Sequence, residues 1–98
     1  MVRPRRCRCI RITPVARLYK PQGVPAKQLQ VIEIKDEELE ALSLADAQGM
    51  EQEEAATLMN VSRSTFSRIL AQARKSVARA LTEGAALKIE GGNFQLLQ

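Results

Sequence analysis

The chain has 98 residues, a length that suits one small domain with a modest core. Hydrophobic residues make up 45% of it and charged residues 27%, as in ordinary folded proteins, and no apolar run approaches the length needed to span a bilayer. The net charge is +4 and histidine is absent, so the commonest general base is missing and we expect no enzyme.

Charge is distributed in three blocks along the chain. Residues 1–20 hold seven basic side chains and no acid, residues 33–54 hold nine acids and one lysine, and residues 63–88 hold six basic side chains and one acid. Only the first and last blocks therefore suit a polyanion. For the acidic helices of the middle block we favour a solvated face, and the alternative is a docking surface for a basic protein.

The first 28 residues contain all four prolines, so we expect a basic arm that is extended or looped. Within it, Arg3, Arg5 and Arg6 lie close together in sequence. A basic arm of this kind can follow phosphates or enter a minor groove. The alternative is a solubilising tail without a ligand.

Two cysteines, Cys7 and Cys9, form a Cys-x-Cys pair. No secretory signal precedes them, which predicts a reduced, cytoplasmic protein. Two thiolates cannot complete a tetrahedral metal site, although a dimer would bring four together. The flanking arginines favour the thiolate and leave a redox switch open, but we favour two free cysteines without a shared role.

Two short strands are predicted, one on either side of a helical region. Residues 29–34 (LQVIEI) are β-rich, and residues 86–90 (ALKIE) alternate with period two. The second strand can pair with the first, although periodicity alone does not establish this. Residues 93–98 are expected to form a C-terminal tail with loose ends.

A first helix is predicted after the first strand. Asp36 can cap it, and Leu39, Leu42 and Ala45, spaced by three, would form its buried stripe. Gly49 would end it, because glycine adopts the left-handed conformation common at helix C-termini.

Residues 52–70 (QEEAATLMNVSRSTFSRIL) have the pattern of two helices joined by a tight turn. The second helix is predicted at about residues 51–59 and contains the small residues Ala55 and Ala56, which allow a close approach. Asn60 tolerates the left-handed conformation of a turn, and Ser62 is a good N-cap for the third helix. This is the pattern of a helix-turn-helix, which usually meets the DNA major groove. The alternative is a plain helical hairpin with no role in DNA binding.

The third helix is predicted to run from residue 63 to 83, with Gly84 as its stop. Its apolar residues fall along one line of the helix. That line comprises Phe66, Ile69, Leu70, Ala73, Val77, Ala80 and Leu81. Because the stripe is longer than a three-helix unit covers, we expect the N-terminal segment or a second subunit to pack on Val77 and Leu81.

If the two-helix unit binds DNA, the residue types indicate which side chains contact the bases and which contact the phosphates. Arginine can bridge both acceptors of guanine, and serine is short and adaptable, which suits base edges. The predicted readers are Arg63, Ser64, Ser67 and Arg68. Residues farther along the helix suit phosphate contacts. Those are Gln72, Arg74 and Lys75, joined by Gln52 from the start of the second helix, where the neighbouring glutamates would repel phosphate.

The segment from Asp36 to Leu81 resembles the helix-turn-helix of region four of bacterial sigma factors. The shared features are a Glu-Ala-Leu-x-Leu helix, a Glu-Glu-x-Ala helix and a Val-Ser recognition helix ending in Ala-Arg-Lys. Nothing in the chain resembles the sigma region that binds the −10 element. The resemblance therefore implies a regulator that represses or activates, not a sigma factor.

The whole chain resembles more narrowly a family of small uncharacterised bacterial and archaeal proteins predicted to bind DNA. It shares their Arg-Pro-Arg-x-Cys start at residues 3–7, a Lys-Pro-x-Gly-x-Pro segment at residues 20–25 and an Ile-Glu-Gly-Gly end at residues 89–92. It departs from them in carrying Asn60 where they carry glycine, a change that Asn tolerates. It also carries Cys9 where a single cysteine is typical, which weakens a paired-cysteine site.

These observations predict a mainly helical fold. We expect a three-helix helix-turn-helix core with a small β element formed by the flanking segments, so that residues 29–92 are the DNA-binding domain. The expected function is sequence-specific binding of double-stranded DNA by a homodimer that regulates transcription, without a cofactor. The alternatives are an adaptor that binds RNA polymerase or another protein through the acidic helices, and a redox- or metal-responsive switch at Cys7 and Cys9.

Overall fold

The computed structural model describes residues 8–10, 17–90 and 94–96, which form a mostly helical fold with three α-helices and a small three-stranded sheet. In chain order the elements are β1 (Arg8–Ile10), β2 (Leu18–Tyr19), β3 (Val31–Lys35), α1 (Asp36–Leu42), α2 (Gln52–Leu58), α3 (Arg63–Glu83), β4 (Ala86–Glu90) and β5 (Phe94–Leu96). A 3-10 turn at Ala26–Gln28 precedes β3, and a π-helical turn at Ser43–Ala47 extends α1.

The three-stranded sheet has β4 at its centre, parallel to β3 and antiparallel to β2. The predicted pairing of the two flanking segments is therefore confirmed, although β3 begins two residues later than predicted. Ile32 and Ile34 alternate with exposed residues along β3, so one face of the sheet packs on the helices. The parallel arrangement requires a crossover between β3 and β4, and the three helices supply it.

The two chain ends meet in a second, smaller pairing. β1 and β5 run parallel, with Cys9 opposite Gln95. The segment predicted to be a loose tail thus contains a strand. Local patterns did not indicate it, because its backbone partners lie more than eighty residues away in the chain.

The start of α1 differs from the prediction by one residue. Lys35 is the N-cap, and its backbone N–H donates to Glu38 Oε1 at 2.9 Å. Asp36 lies in the first turn instead, where its Oδ1 accepts a hydrogen bond from Arg17 Nη1 at 3.2 Å. Since β3 runs directly into α1, no loop residue is left to cap the helix.

The buried surface of α1 is also different from the predicted stripe. Ala41 and Leu44 are its core residues, while Leu42 and Ala45 are only partly buried at the edge of the core and Leu39 is half-buried. The prediction of a solvated acidic face is wrong for this helix, whose carboxylates are almost wholly buried. These are Asp36, Glu37, Glu38 and Glu40, at 3%, 6%, 8% and 1% exposure. The reason is that α1 contacts α3 on one side and strands β1, β3 and β4 on others.

The largest core cluster lies where α1, α2 and the first half of α3 meet. Phe66, Met59 and Leu70 are its largest fully buried side chains. Its other members are Ala41, Leu44, Ala55, Ala56 and Ile69. This cluster fixes the orientation of α3 in the fold.

A smaller cluster joins the second half of α3 to the sheet through Ile32, Ala80 and Ala85. The predicted stripe fails at its end, because Leu81 is 78% exposed and Val77 is half-buried. Ser76 is buried in its place. The helices α1 and α2 cover only the first half of α3, and the sheet packs on a face rotated away from Leu81.

Candidate nucleic-acid interface

The turn between α2 and α3 determines where α3 begins. Asn60 has a φ of 58°, the left-handed conformation that its residue type predicted. Val61 N–H donates to Ala56 O at 3.0 Å and closes the end of α2. Ser62 is the N-cap of α3, and its Oγ accepts from Thr65 N–H at 3.1 Å, so the predicted cap is confirmed.

Close packing then holds α3 against α2. Ala55 and Ala56 are buried at 0% and 3% exposure, and Phe66 and Met59 at 0%. The small alanine side chains allow the two helices to approach closely. Because Phe66 points into this core, the opposite side of the first turns of α3 faces solvent.

That outward face carries three of the predicted contact residues. Ser64, Arg68 and Lys75 are all exposed and recur at intervals of four and seven, so they lie on one side of the helix. Arg68 Nη2 makes one long contact with Thr65 Oγ1 at 3.4 Å. Within the described residues, neither Arg68 nor Lys75 has a carboxylate within ion-pair distance. Their charges are therefore available to a ligand.

Arg63 lies beside this face with a weak partner. Its Nη1 is 3.5 Å from Glu53 Oε1 at the start of α2, and the two side chains are 65% and 78% exposed. A pair this exposed contributes little to stability. Arg63 can therefore exchange its carboxylate for a phosphate or a base edge.

Ser67, predicted to contact bases, instead lies against α2. Its Oγ donates to Gln52 Oε1 at 2.7 Å, and both residues are half-buried. Two predicted contact residues thus meet each other and tie the starts of α2 and α3 together. Ser67 lies on the flank of α3 that faces α2, which a linear sequence did not reveal.

Arg74, predicted to contact phosphate, is paired with Asp46 of the π turn. Its Nε and Nη2 donate to the two Asp46 oxygens at 3.0 and 2.7 Å. The Arg74 hydrogen bond lowers the pKa of Asp46 more than desolvation raises it, and the pKa of Arg74 is raised in return. The partners are 28 residues apart, so no local signal indicated this pair.

Gln72 lies on the other flank of α3, beside a cleft of about 380 Å³ between this helix and the start of α1. Its Nε2 donates to Ser76 Oγ at 3.3 Å. Lys35, which the sequence pattern did not indicate, lines the cleft from the start of α1 together with Glu37 and Glu38, and Arg68 lines it from α3. The cleft thus places a further cation, Lys35, next to the exposed face, but the cleft also contains acidic side chains.

Arg17, counted at first with the polyanion-binding bases, has a structural role. Its Nη1 donates to Asp36 Oδ1 and to Ile89 O, both at 3.2 Å. This side chain joins α1 to β4 and compensates a carboxylate that is only 4% exposed. It is therefore not available to DNA.

The arm residues Arg3, Arg5 and Arg6 lie outside the described residues, as does Cys7. Within the ranges that the structure describes, no three acidic or cysteine side chains converge to hold a metal ion. Among these same residues we find no helix with the length and apolar content to cross a membrane.

The fold and this exposed face define a small helical domain with a basic helix surface. Comparison with known proteins places the chain in a family: residues 1–97 match the model described as "Protein of unknown function DUF134", and the chain belongs to that family. No solved structure matches it.

Relatives in several bacteria are similar over the whole chain. A UPF0251 protein of Pelotomaculum thermopropionicum is 51% identical over 98 residues, covering 100% of this chain and 74% of the relative. A UPF0251 protein of Thermoanaerobacter is 47% identical over 98 residues and covers 87% of the relative. One from Dehalococcoides mccartyi is 51% identical over 96 residues, or 98% of this chain and 82% of the relative.

Proposed function

We propose that the chain binds double-stranded DNA by placing the first turns of α3 in the major groove. In this proposal α2, the turn at Asn60 and α3 form a helix-turn-helix like that of region four of bacterial sigma factors. The observation that carries it is the division of α3 into two faces. One face is buried, with Phe66 and Leu70 in the core, and the other presents Ser64, Arg68 and Lys75, whose two cations have no carboxylate within ion-pair distance among the described residues.

The dimensions of the face support the proposal. The major groove admits a single α-helix, and its base edges are read by side chains from the first turns of that helix. Ser64 and Arg68 lie in those turns, one helical turn apart. Lys75 lies two turns beyond Arg68, where a helix leaving the groove passes the phosphates.

The acids of α2 limit how the domain can approach DNA. Glu53 and Glu54 are exposed in the first turn of α2 and would repel phosphates. Gln52, held by Ser67, is the residue of that turn suited to a phosphate contact. The proposed approach therefore uses α3 and keeps the rest of α2 away from the backbone.

We infer a role in transcription regulation from the same resemblance to region four of bacterial sigma factors. The competing adaptor would use exposed acids. Because the α1 carboxylates are buried, its surface would consist mainly of Glu51, Glu53 and Glu54 at the start of α2, together with Asp46, which is paired with Arg74.

A salt titration with random duplex DNA tests the proposal. The logarithm of affinity should fall steeply and linearly with the logarithm of salt concentration, and Lys75→Ala should reduce that slope by about 1. Lys27→Ala, which removes an exposed charge outside α3, is the control and should keep the slope. Absence of duplex binding at low salt would support the adaptor instead and contradict the proposal.

A further inference from the structure

The C-terminal end of α3 carries an apolar surface that the proposed DNA contact does not use. Leu81 is 78% exposed and Tyr19 is 55% exposed. They border an open groove of about 260 Å³. We call it the rear groove; besides Lys20, its lining includes Tyr19, Pro21, Leu81, Gly84 and Leu87.

We propose that the rear groove is the interface between two copies of this chain related by a two-fold axis, with Leu81 of each copy entering the groove of the other. In such an interface each surface meets itself, so it must bury few like charges. The groove lining contains a single charged residue, Lys20, in a chain of net charge +4. An acidic protein partner would be matched by a basic lining, which this surface lacks.

The shape of the groove suits the Leu81 side chain of a second copy. Gly84, with a φ of 68°, ends α3 in the left-handed conformation and adds no side chain to the floor. Ala80 and Ala85 are small and buried, so they leave space that a larger pair of residues would fill. Leu81 protrudes next to that space and has the size and polarity to occupy it in a neighbouring copy.

The position of the groove also suits paired DNA sites, an argument that rests on the proposed function. Leu81 lies eighteen residues after Arg63 on one helix, or about 27 Å along its axis. Two helices joined at their rear ends can thus hold their first turns up to roughly 54 Å apart. The spacing of about 34 Å between half-sites one DNA turn apart falls within that reach when the helices meet at an angle.

Sedimentation equilibrium of the full chain without DNA tests the interface. The wild type should reach twice its 10.9 kDa mass as concentration rises. Leu81→Lys should raise the dissociation constant at least about 100-fold, because each dimer would bury two ammonium groups beside the Lys20 of the facing groove. Thr82→Lys adds the same charge at an exposed neighbouring position and should change the constant by less than about threefold.

Two outcomes would overturn the interface. A wild-type protein that stays monomeric at high micromolar concentration rules out the interface. Coverage of Leu81 by another part of the same chain would give this result. A Leu81→Lys variant that dimerises as tightly as wild type assigns the contact to a different surface. Because no DNA is present, either result leaves the duplex-binding titration to decide the proposed function independently.

Discussion

The two ends of α3 continue one apolar stripe but lie in different surroundings. At the front, Phe66 and Leu70 are enclosed by α1 and α2 and are 0% and 1% exposed. At the rear, the sheet contacts Ala80 and leaves Leu81 at 78% exposure. Periodicity therefore identifies the apolar face of a helix but not how much of that face the rest of the chain covers.

The largest expected effect is a difference between the two ends of α3 in how much a truncated side chain lowers the free energy of unfolding. Phe66→Ala should lower the free energy of unfolding by about 3–5 kcal/mol, because it opens a cavity in the enclosed core. Leu81→Ala on the same helix should change the monomer by no more than about 0.5 kcal/mol, since its side chain is already in water. Urea unfolding of dilute protein measures both. Equal losses in the two variants would mean that the rear of α3 is as well covered as the front.

The next effect concerns the exposed face at the front. On a duplex obtained by selection from a random pool, Arg68→Ala should cost about 1–3 kcal/mol and relax preference at one base position. The matched change at the rear, Arg79→Ala, removes a charge paired with Glu83 on the last turns of the helix. It should leave the preferred sequence unaltered. If Arg79→Ala relaxes the preference and Arg68→Ala does not, the reading end of α3 has been assigned wrongly.

A comparable effect on stability should arise at the sheet. Arg17→Ala leaves the buried carboxylate of Asp36 without its hydrogen bond and should cost about 1–3 kcal/mol. Lys27→Ala removes an exposed base from the 3-10 turn before β3 and serves as the control, with a change within about 0.5 kcal/mol. Thermal unfolding compares the two. Similar melting curves for both variants would show that Arg17 belongs with the surface bases after all.

The smallest effect is a pH dependence midway along α3. Arg74 lowers the pKa of Asp46 in the folded protein, so the pair stabilises the fold at pH values above the unfolded pKa and loses this effect as the pH falls through the folded one. Asp46→Asn should therefore lower Tm slightly near neutral pH and not at all in acid. In an Arg74→Gln background the same substitution should have no further effect at either pH. A Tm difference that persists in acid would exclude the ion pair as its cause.

Much of the helical part of the fold was predictable, because its signals are local. The left-handed Asn60, the Ser62 cap and the Gly84 stop each act within a few residues, and α3 has the bounds that they predicted. Outward placement of Ser64 and Arg68 followed from the helix period alone. These features need no information from distant parts of the chain.

The remaining features depend on residues far apart in sequence. The acidic block around Glu40 resembles any solvated helix, yet α1 is enclosed by α3 and the strands. Likewise Ser67 and Arg74 were expected to reach DNA, and they face Gln52 and Asp46 instead. Helical angles place a residue on a flank, but only the packing of neighbouring elements decides what lies opposite that flank.

The number and order of the helices, the bounds of α3 and its basic outward face followed from the sequence, because capping, turn conformation and helical period are properties of short segments. Three features depended on the tertiary structure. They are the charged side chains that pair within the protein, the strands that pair near the two ends of the chain, and the exposure of Leu81 on α3. Those outcomes depend on which surfaces meet, and that is settled only when the whole chain has folded.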